Sequence, residues 1–348
     1  MADLRIGLIG YGGWARAAYV PALARDGRGR IVAAAARSAP TQERIRAELG
    51  SVRVYDSFDR LLVLADVDAV FIAVPNPVHE PAMLAAMDAG IPMFYEPPVA
   101  DRPERMRPVL RRLLGAAQVT HADNELVYVP TLDRLAAIVT AGTVGTPQTA
   151  AIRLQAGWGA APNDHLSLFA HLAPWYVGAL DRVLGRHPRR VIVHDGRGTP
   201  GRMQAYTLAV LDYDGVWGAC QANLASAGPL QVQVEVNGSE GDATAEVFGG
   251  ALQVRTTSVP AWRTELIPAL QPHAGWPGMH ECVSGFLDAV QRGAPSRTDA
   301  RTVARLHLVG LAGEASIDTG GWASVGGVED LPGPLEGAPA PSPPAHAA

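Results

Sequence analysis

The sequence predicts an α/β protein: an N-terminal Rossmann doubly wound parallel sheet, followed by a C-terminal α/β domain with an open, mostly antiparallel sheet. Three observations carry this. Short apolar runs alternate with amphipathic stretches through the first third of the chain, the pattern of βαβ units. A glycine-rich turn joins the first run to the first helical stretch. Beyond about residue 122, strand-like segments follow one another, with the hairpin dipeptide Asp214-Gly215 between two of them.

Segments 4–9, 31–36 and 69–74 are short apolar runs, broken only by Arg5, as expected of strands covered on both faces. Segments 14–25 and 40–49 have helical spacing. Pro21 is expected to kink the first, and the second opens at Pro40 and Thr41 and closes at Gly50. A helix over 81–89 ends at Gly90, and a strand follows at 91–95. Helical spacing over 131–141 leads to Gly142 and Gly145. Strands are expected at 148–155, 190–194, 204–213, 216–225, 231–237 and 252–257. Helices over 167–184, 279–292 and 299–319 are expected to cover one face of the second sheet. The resulting scheme is a dinucleotide-binding domain (1–122), a substrate and oligomerisation domain (123–328) and a disordered Pro/Ala-rich tail (329–348).

With 348 residues, 48% hydrophobic and 18% charged, the chain has material for two real cores. A net charge of -5 lacks the basic surplus that nucleic acid would require. Cys220 and Cys282 form no disulfide framework. No apolar run spans a bilayer, and the first strand begins too early for a signal peptide, so a cytoplasmic protein without a membrane partner is expected. All 29 residues counted as Lys or Arg are arginine. The absence of lysine excludes Schiff-base chemistry, a phosphate-loop lysine and a lysine general acid. Scattered His and Asp residues show no metal-ligand spacing, and no metal is expected.

Gly10-Tyr11-Gly12-Gly13-Trp14-Ala15 is a Gly-x-Gly-x-x-Ala element between a strand and a helix. Gly10 permits the tight turn, and Gly12 lets the backbone approach a diphosphate, with Gly13 and Trp14 alongside. Ala15 allows close helix–strand packing. The second strand ends in Ala35-Ala36-Arg37-Ser38, where no carboxylate is available for a ribose 2′-hydroxyl. Arg37 and Ser38 suit a 2′-phosphate instead, which favours NADP while leaving NAD possible.

At Val74-Pro75-Asn76 followed by His79, Ala89-Gly90 and Glu96-Pro97-Pro98, the chain resembles the glucose-fructose oxidoreductase, inositol dehydrogenase and rhizopine-catabolism family, Gfo/Idh/MocA. The similarity extends to Gly142-x-x-Gly145, to Asn237-Gly238 with Gly241, and to the helix from Met279. The resemblance implies a dinucleotide domain, a small-molecule substrate held between the domains and homo-oligomer contacts through the C-terminal sheet. It also implies cofactor contacts from Val74, Asn76, His79, Glu96 and Pro97. Asn76 follows the carboxyl end of a strand, where it reaches the nicotinamide ribose or serves as a turn residue before a proline. His79 is a ligand or a local cap.

The chain departs from the family pattern twice. Pro97 stands where the family has the lysine taken to assist proton transfer, and proline has no proton to give. The family's Asp-x-Gly-x-His-x-x-Asp pattern falls on His171, Ala173, Trp175 and Gly178. His171 and Trp175 still share a helical face, and a shifted register brings Asp164, His165 or Tyr176 into play. Weaker candidates are Tyr95, Tyr128, His121 with Asp123, and His280-Glu281. The resulting expectation is an NAD(P)-dependent oxidoreductase acting on a small sugar-, cyclitol- or imine-like substrate. Its proton comes from His171, with His165 and Tyr176 as further catalytic candidates, or an iminium substrate needs no donor. The alternatives are a cofactor-binding sensor or partner subunit that has lost catalysis, and a redox-neutral lyase-type member.

Overall fold

The computed structural model describes residues 3–158, 165–196, 205–267 and 276–331. The first sheet has six parallel strands in the order β3-β2-β1-β4-β5-β6. These are β1 (Leu4–Ile9), β2 (Gly29–Ala35), β3 (Arg53–Tyr55), β4 (Ala69–Ile72), β5 (Met93–Tyr95) and β6 (Thr120–Ala122). Strand order reverses between β1 and β4, the switch point at whose carboxyl edge ligands of such sheets collect.

The first crossover holds a π-helical turn (Ala15–Tyr19) and then α1 (Val20–Asp26). The Val20 N–H reaches back to Ala15 O, so Pro21 falls in the first turn of α1, where its missing N–H costs little. The expected kink is therefore a change of helix type. Helix α2 spans Ala39–Leu49, α3 Phe58–Leu64, α4 Asn76–Asp88 and α5 Pro103–Leu114. Helix α4 begins at Asn76 rather than residue 81, because Pro77 suits a first turn and Pro81 is accommodated inside. Sequence reading omitted β3, α3, α5 and β6. The signal for α5 was present: Met106, Val109, Leu110 and Leu113 are buried at helical spacing beneath an arginine-rich outer face.

The second sheet has the order β14-β13-β12-β11-β7-β10-β9-β8-β15. Its strands are β7 (Pro147–Gln155), β8 (Arg190–Gly196), β9 (Tyr206–Asp212), β10 (Trp217–Asn223), β11 (Gln231–Gly238), β12 (Gly241–Glu246), β13 (Ala251–Thr256), β14 (Arg263–Leu266) and β15 (Ala323–Ser324). Its pairs are antiparallel apart from β7 with β10. The expected hairpin joins β9 and β10: Asp214 and Gly215 have φ of 57° and 92°, and Tyr213 N donates to Val216 O at 2.9 Å.

Helices α6 (Pro130–Thr140) and α7 (Leu168–Leu184) lie on the inner face of this sheet, with Ile152, Leu154, Val234 and Leu211 packed under Phe169, Leu172 and Val177. Helix α8 (Met279–Arg292) does not. Its stripe of Met279, Cys282, Val283, Phe286 and Leu287 packs on Ile6, Leu8, Phe71 and Phe94 of the first sheet, beside α1. That face would otherwise carry only α1 and α2, so an apolar stripe arriving late in sequence completes its cover. Helix α9 (Ala300–Thr319) spans both cores: Val303 and Leu308 join the first, Leu306 and Val309 the second.

The predicted tail also needs correction at its start. Residues Val328–Asp330 form a 3₁₀ turn, and Leu331 is buried against the first sheet's core. The rest of the predicted tail, 332–348, lies outside the described residues.

Candidate functional site

The turn after β1 is shaped for close backbone approach. Gly10 has φ of 91°, and a Cβ there would stand 2.1 Å from Ala73 O and 2.8 Å from Val74 Cγ1. Gly12 and Gly13 are exposed, and a Cβ on either meets nothing within 4 Å. Fully buried Ala15 seats the helix on the sheet. This open, side-chain-free cradle at a helix start fits a diphosphate. At the end of β2, Arg37 is exposed, and the Ser38 hydroxyl caps α2 by accepting from Thr41 N at 3.4 Å.

Beside this turn lies a cavity of about 420 Å³. Gly13, Trp14 and Ala17 form one side, Glu96 after β5 another, and Glu125 and Leu126 a third. His171, Leu172, Trp175 and Tyr176 enter from α7. Trp158, Leu230, Phe248 and Trp276 complete the wall. No arginine lines it among the described residues.

Its polarity is organised around three carboxyl groups. Trp14 Nε1 and the Tyr19 hydroxyl each donate to Asp123 Oδ2 at 2.9 Å. Trp175 Nε1 and Trp276 Nε1 donate to the two oxygens of Glu125, each at 2.9 Å. The rings pack as well, Trp14 and Trp276 edge to face at 5.0 Å between centroids. Asp123 Oδ1 is buried without a hydrogen-bond partner, and none of the three carboxyls forms an ion pair among the described residues.

Burial without a compensating cation favours the protonated acid. Burial, aided by the charge of Asp123, pushes Glu96 up to about 8. Burial likewise pushes Asp123 up to about 7, against the opposing pull of its Trp14 and Tyr19 bonds. Glu125 is driven well above the usual carboxylate range by burial and by Asp123. Near neutral pH the acid form is therefore favoured at Glu96 and Glu125, while Asp123, whose ionised form the indole and phenol bonds stabilise, lies near the midpoint of its ionisation.

The structure brings part of the sequence-predicted site to this cavity. Gly13, Trp14, Glu96, His171 and Tyr176 line it. His171 is held down to about 4 by burial and is neutral at pH 7, its Nδ1 without a hydrogen-bond partner. Burial also pushes the Tyr176 hydroxyl far above its ordinary range. Pro97 precedes a cis bond to Pro98. His165 is exposed, with Nε2 3.0 Å from Arg102 Nη2 and no place in the wall. Asp164 lies outside the described residues. Asn76 opens α4. His79 is buried 6.4 Å from the Tyr95 ring with Nε2 unpartnered, held down to about 4 by burial and by His307. His280-Glu281 lies in the first turn of α8, whose cap is Gly278. Among the described residues, no three His, Cys, Asp or Glu side chains are placed to hold a metal ion.

Sequence reading gave Asp123 little weight and missed Glu125, Trp276, Trp158 and Phe248 as wall residues. A signal existed for the acids: they directly follow β6, at the carboxyl edge of a parallel strand. With β6 unrecognised, the edge was invisible.

Residues 4–121 match the model of the GFO_IDH_MocA family, described as an oxidoreductase family with an NAD-binding Rossmann fold. Inositol 2-dehydrogenase 4 of Saccharopolyspora erythraea is 27% identical over 146 residues, 42% of this chain and 43% of that protein. The chain thus aligns with less than half the length of this relative. An oxidoreductase from Agrobacterium radiobacter, solved with NAD+, L-tartaric acid and magnesium, superposes with a TM-score of 0.80 at 16% identity, covering 93% of this chain and 99% of that one. Levoglucosan dehydrogenase, solved with NADH and levoglucosan, gives 0.80 at 18% identity over 93% and 99%.

Proposed function

Because residues 4–121 match the Gfo/Idh/MocA oxidoreductase family with its NAD-binding Rossmann fold, we propose that the chain moves hydride between a nicotinamide coenzyme and a small organic substrate seated in the tryptophan-walled cavity, with Glu96 handling the proton. The observation that carries this is the position of the Glu96 carboxyl, whose acid form burial favours, in a wall that also contains Gly13 and Trp14 of the glycine turn. The coenzyme, when bound, supplies or accepts the hydride. The chain's own residues do the rest. Gly12 and Gly13 leave the backbone bare for a diphosphate, and Val74 and Asn76 flank it at the switch point.

Glu96 fills the role that Pro97 cannot. In the reducing direction its acid form protonates the substrate heteroatom, and in the oxidising direction its carboxylate takes that proton back. Asp123 keeps the Glu96 proton in place until a reaction consumes it, because its charge opposes a second one nearby. Neutral His171 and Tyr176 position the substrate rather than transfer protons. The apolar wall excludes water from the reacting centre.

NADP is the proposed coenzyme, on the strength of exposed Arg37 and Ser38 and the missing carboxylate after β2. Arg37→Ala weakens NADPH binding about tenfold or more, the worth of a charge-assisted bond, and leaves NADH binding unchanged. Copies of the chain are expected to pair through the outer face of the second sheet, where Tyr206, Leu208 and Trp217 are exposed. Absorbance of the reduced coenzyme against a panel of ketones and imines tests the central reading. Substrate-dependent oxidation by the wild type supports it; coenzyme binding with no oxidation by any panel member contradicts it.

A further inference from the structure

We infer that the cavity is built for an organic cation, so that the bond oxidised or reduced is the carbon–nitrogen bond of an amine–imine pair. This rests on the hydride reading above and narrows it to one substrate class.

The indole N–H groups are already committed: Trp14 to Asp123, Trp175 and Trp276 to Glu125. What these tryptophans have left to offer a ligand is ring surface, and Trp158 adds a further indole to the wall. Ring surface attracts cations and repays nothing to the several hydroxyls of a polyol, which lose water on entering an apolar wall. The negative side of the balance is present as well. Glu96 and Glu125 line the cavity, with Asp123 behind Trp14, and among the described residues none of them meets a guanidinium, in a chain that pairs Glu80 with Arg105 and Asp133 with Arg182 and Arg297 elsewhere. The stretches 159–164 and 268–275, next in sequence to Trp158 and Trp276, contain no arginine either. An inorganic cation fits poorly, since these carboxyls do not converge as metal ligands. A nitrogen cation with an apolar body satisfies both the acids and the rings.

The step balances with groups already named. The imine nitrogen takes the Glu96 proton, giving an iminium beside a carboxylate. Hydride from reduced nicotinamide adds to the imine carbon while the C=N π pair becomes the amine lone pair, leaving the coenzyme oxidised.

A cation entering such a wall also displaces a proton, because it favours ionisation of the acid beside it. Among the described residues, the other titratable groups packed around the acids release none near neutrality. Tyr19, Tyr176 and Cys282 are pushed up by burial, and His171 and His121 are already neutral.

The test titrates cyclohexylammonium and shape-matched cyclohexanol into the protein saturated with reduced coenzyme, whose ring is neutral. Calorimetry in two buffers of different ionisation enthalpy reads affinity and proton release together. The inference expects cyclohexylammonium to bind at least about tenfold more tightly, with release of about one proton. Glu96→Gln should abolish much of that release. Trp158→Ala, at a side chain already half exposed and therefore safe for folding, should weaken the ammonium about fivefold and spare cyclohexanol. Equal affinity for the two probes with no proton release overturns the inference. A parallel assay with 1-pyrroline and cyclopentanone separates the two levels. Oxidation of coenzyme by the ketone alone sinks the cation and keeps the hydride reading. Cation binding with no oxidation by either sinks the hydride reading and keeps the cation.

Discussion

Two cavities of similar size border α7, one of about 420 Å³ and one of about 390 Å³, and their charges are handled in opposite ways. The second is lined by Arg182, Arg186, Arg297 and Arg305, with Asp181 and Thr302. Its guanidiniums are largely occupied. Arg182 and Arg297 both bond Asp133, Arg297 also lies over the Tyr128 ring, and Arg186 donates to Asp214 O. The first cavity is bordered by carboxyl groups, two of them bonded to indoles, and among the described residues by no guanidinium. Charges that find partners within the chain hold the fold together; charges left without them await something from outside.

That contrast breaks or sharpens through substitution. The largest expected effect is at Glu96. Glu96→Gln should lower kcat for reduction by about 10² to 10⁴, the worth of a general acid. It should also remove the alkaline limb of the pH–rate profile, which in the wild type falls above about pH 8. A wild-type profile flat from pH 6 to 10 would remove Glu96 from the mechanism. Next is Trp276→Phe, which keeps an aromatic ring but withdraws the N–H from Glu125 Oε1. Leaving a buried acid short of a donor costs about 1 to 3 kcal/mol, visible as a lower urea midpoint and roughly tenfold weaker ligand binding.

A smaller effect separates site from scaffold by pH. Glu96 holds its proton to about 8 in the fold, against 4.5 as an ordinary side chain, so the folded state binds the extra proton between those values. Its contribution to stability is lost as pH rises through 8. Glu96→Gln should therefore exceed the wild type in urea-unfolding stability at pH 9 by on the order of 1 to 2 kcal/mol and match it near pH 4. No gain at pH 9 would mean the carboxylate is solvated. The smallest change is expected in the second cavity, where Arg186→Ala should move stability by less than about 0.5 kcal/mol and leave turnover unchanged. A larger effect on turnover would erase the distinction between the cavities.

The sequence disclosed what is local. The glycine turn, the apolar strands and the Asp214-Gly215 hairpin each declare themselves within a few residues, because their geometry depends on neighbours in the chain. The proline at position 97, where the family resemblance leads one to expect a lysine, is equally plain. The substitute proposed for it is not, because it depends on burial: Glu96 is an ordinary acid in the sequence, and its surroundings in the fold push it up to about 8. The indole–carboxyl bonds join partners 109, 50 and 151 positions apart. No spacing rule links Trp276 to Glu125. Helix α8 was misassigned for the same reason, since an amphipathic stripe states that it must be covered without stating by which sheet.

The protonation state of Glu96 at neutral pH is the claim on which the rest turns. An infrared difference titration from pH 6 to 10, comparing wild type with Glu96→Gln, reads it without any substrate. The account predicts a protonated-carboxyl C=O band that disappears with a midpoint near 8 in the wild type and is absent from the variant. A Glu96 already ionised at pH 6 would contradict it.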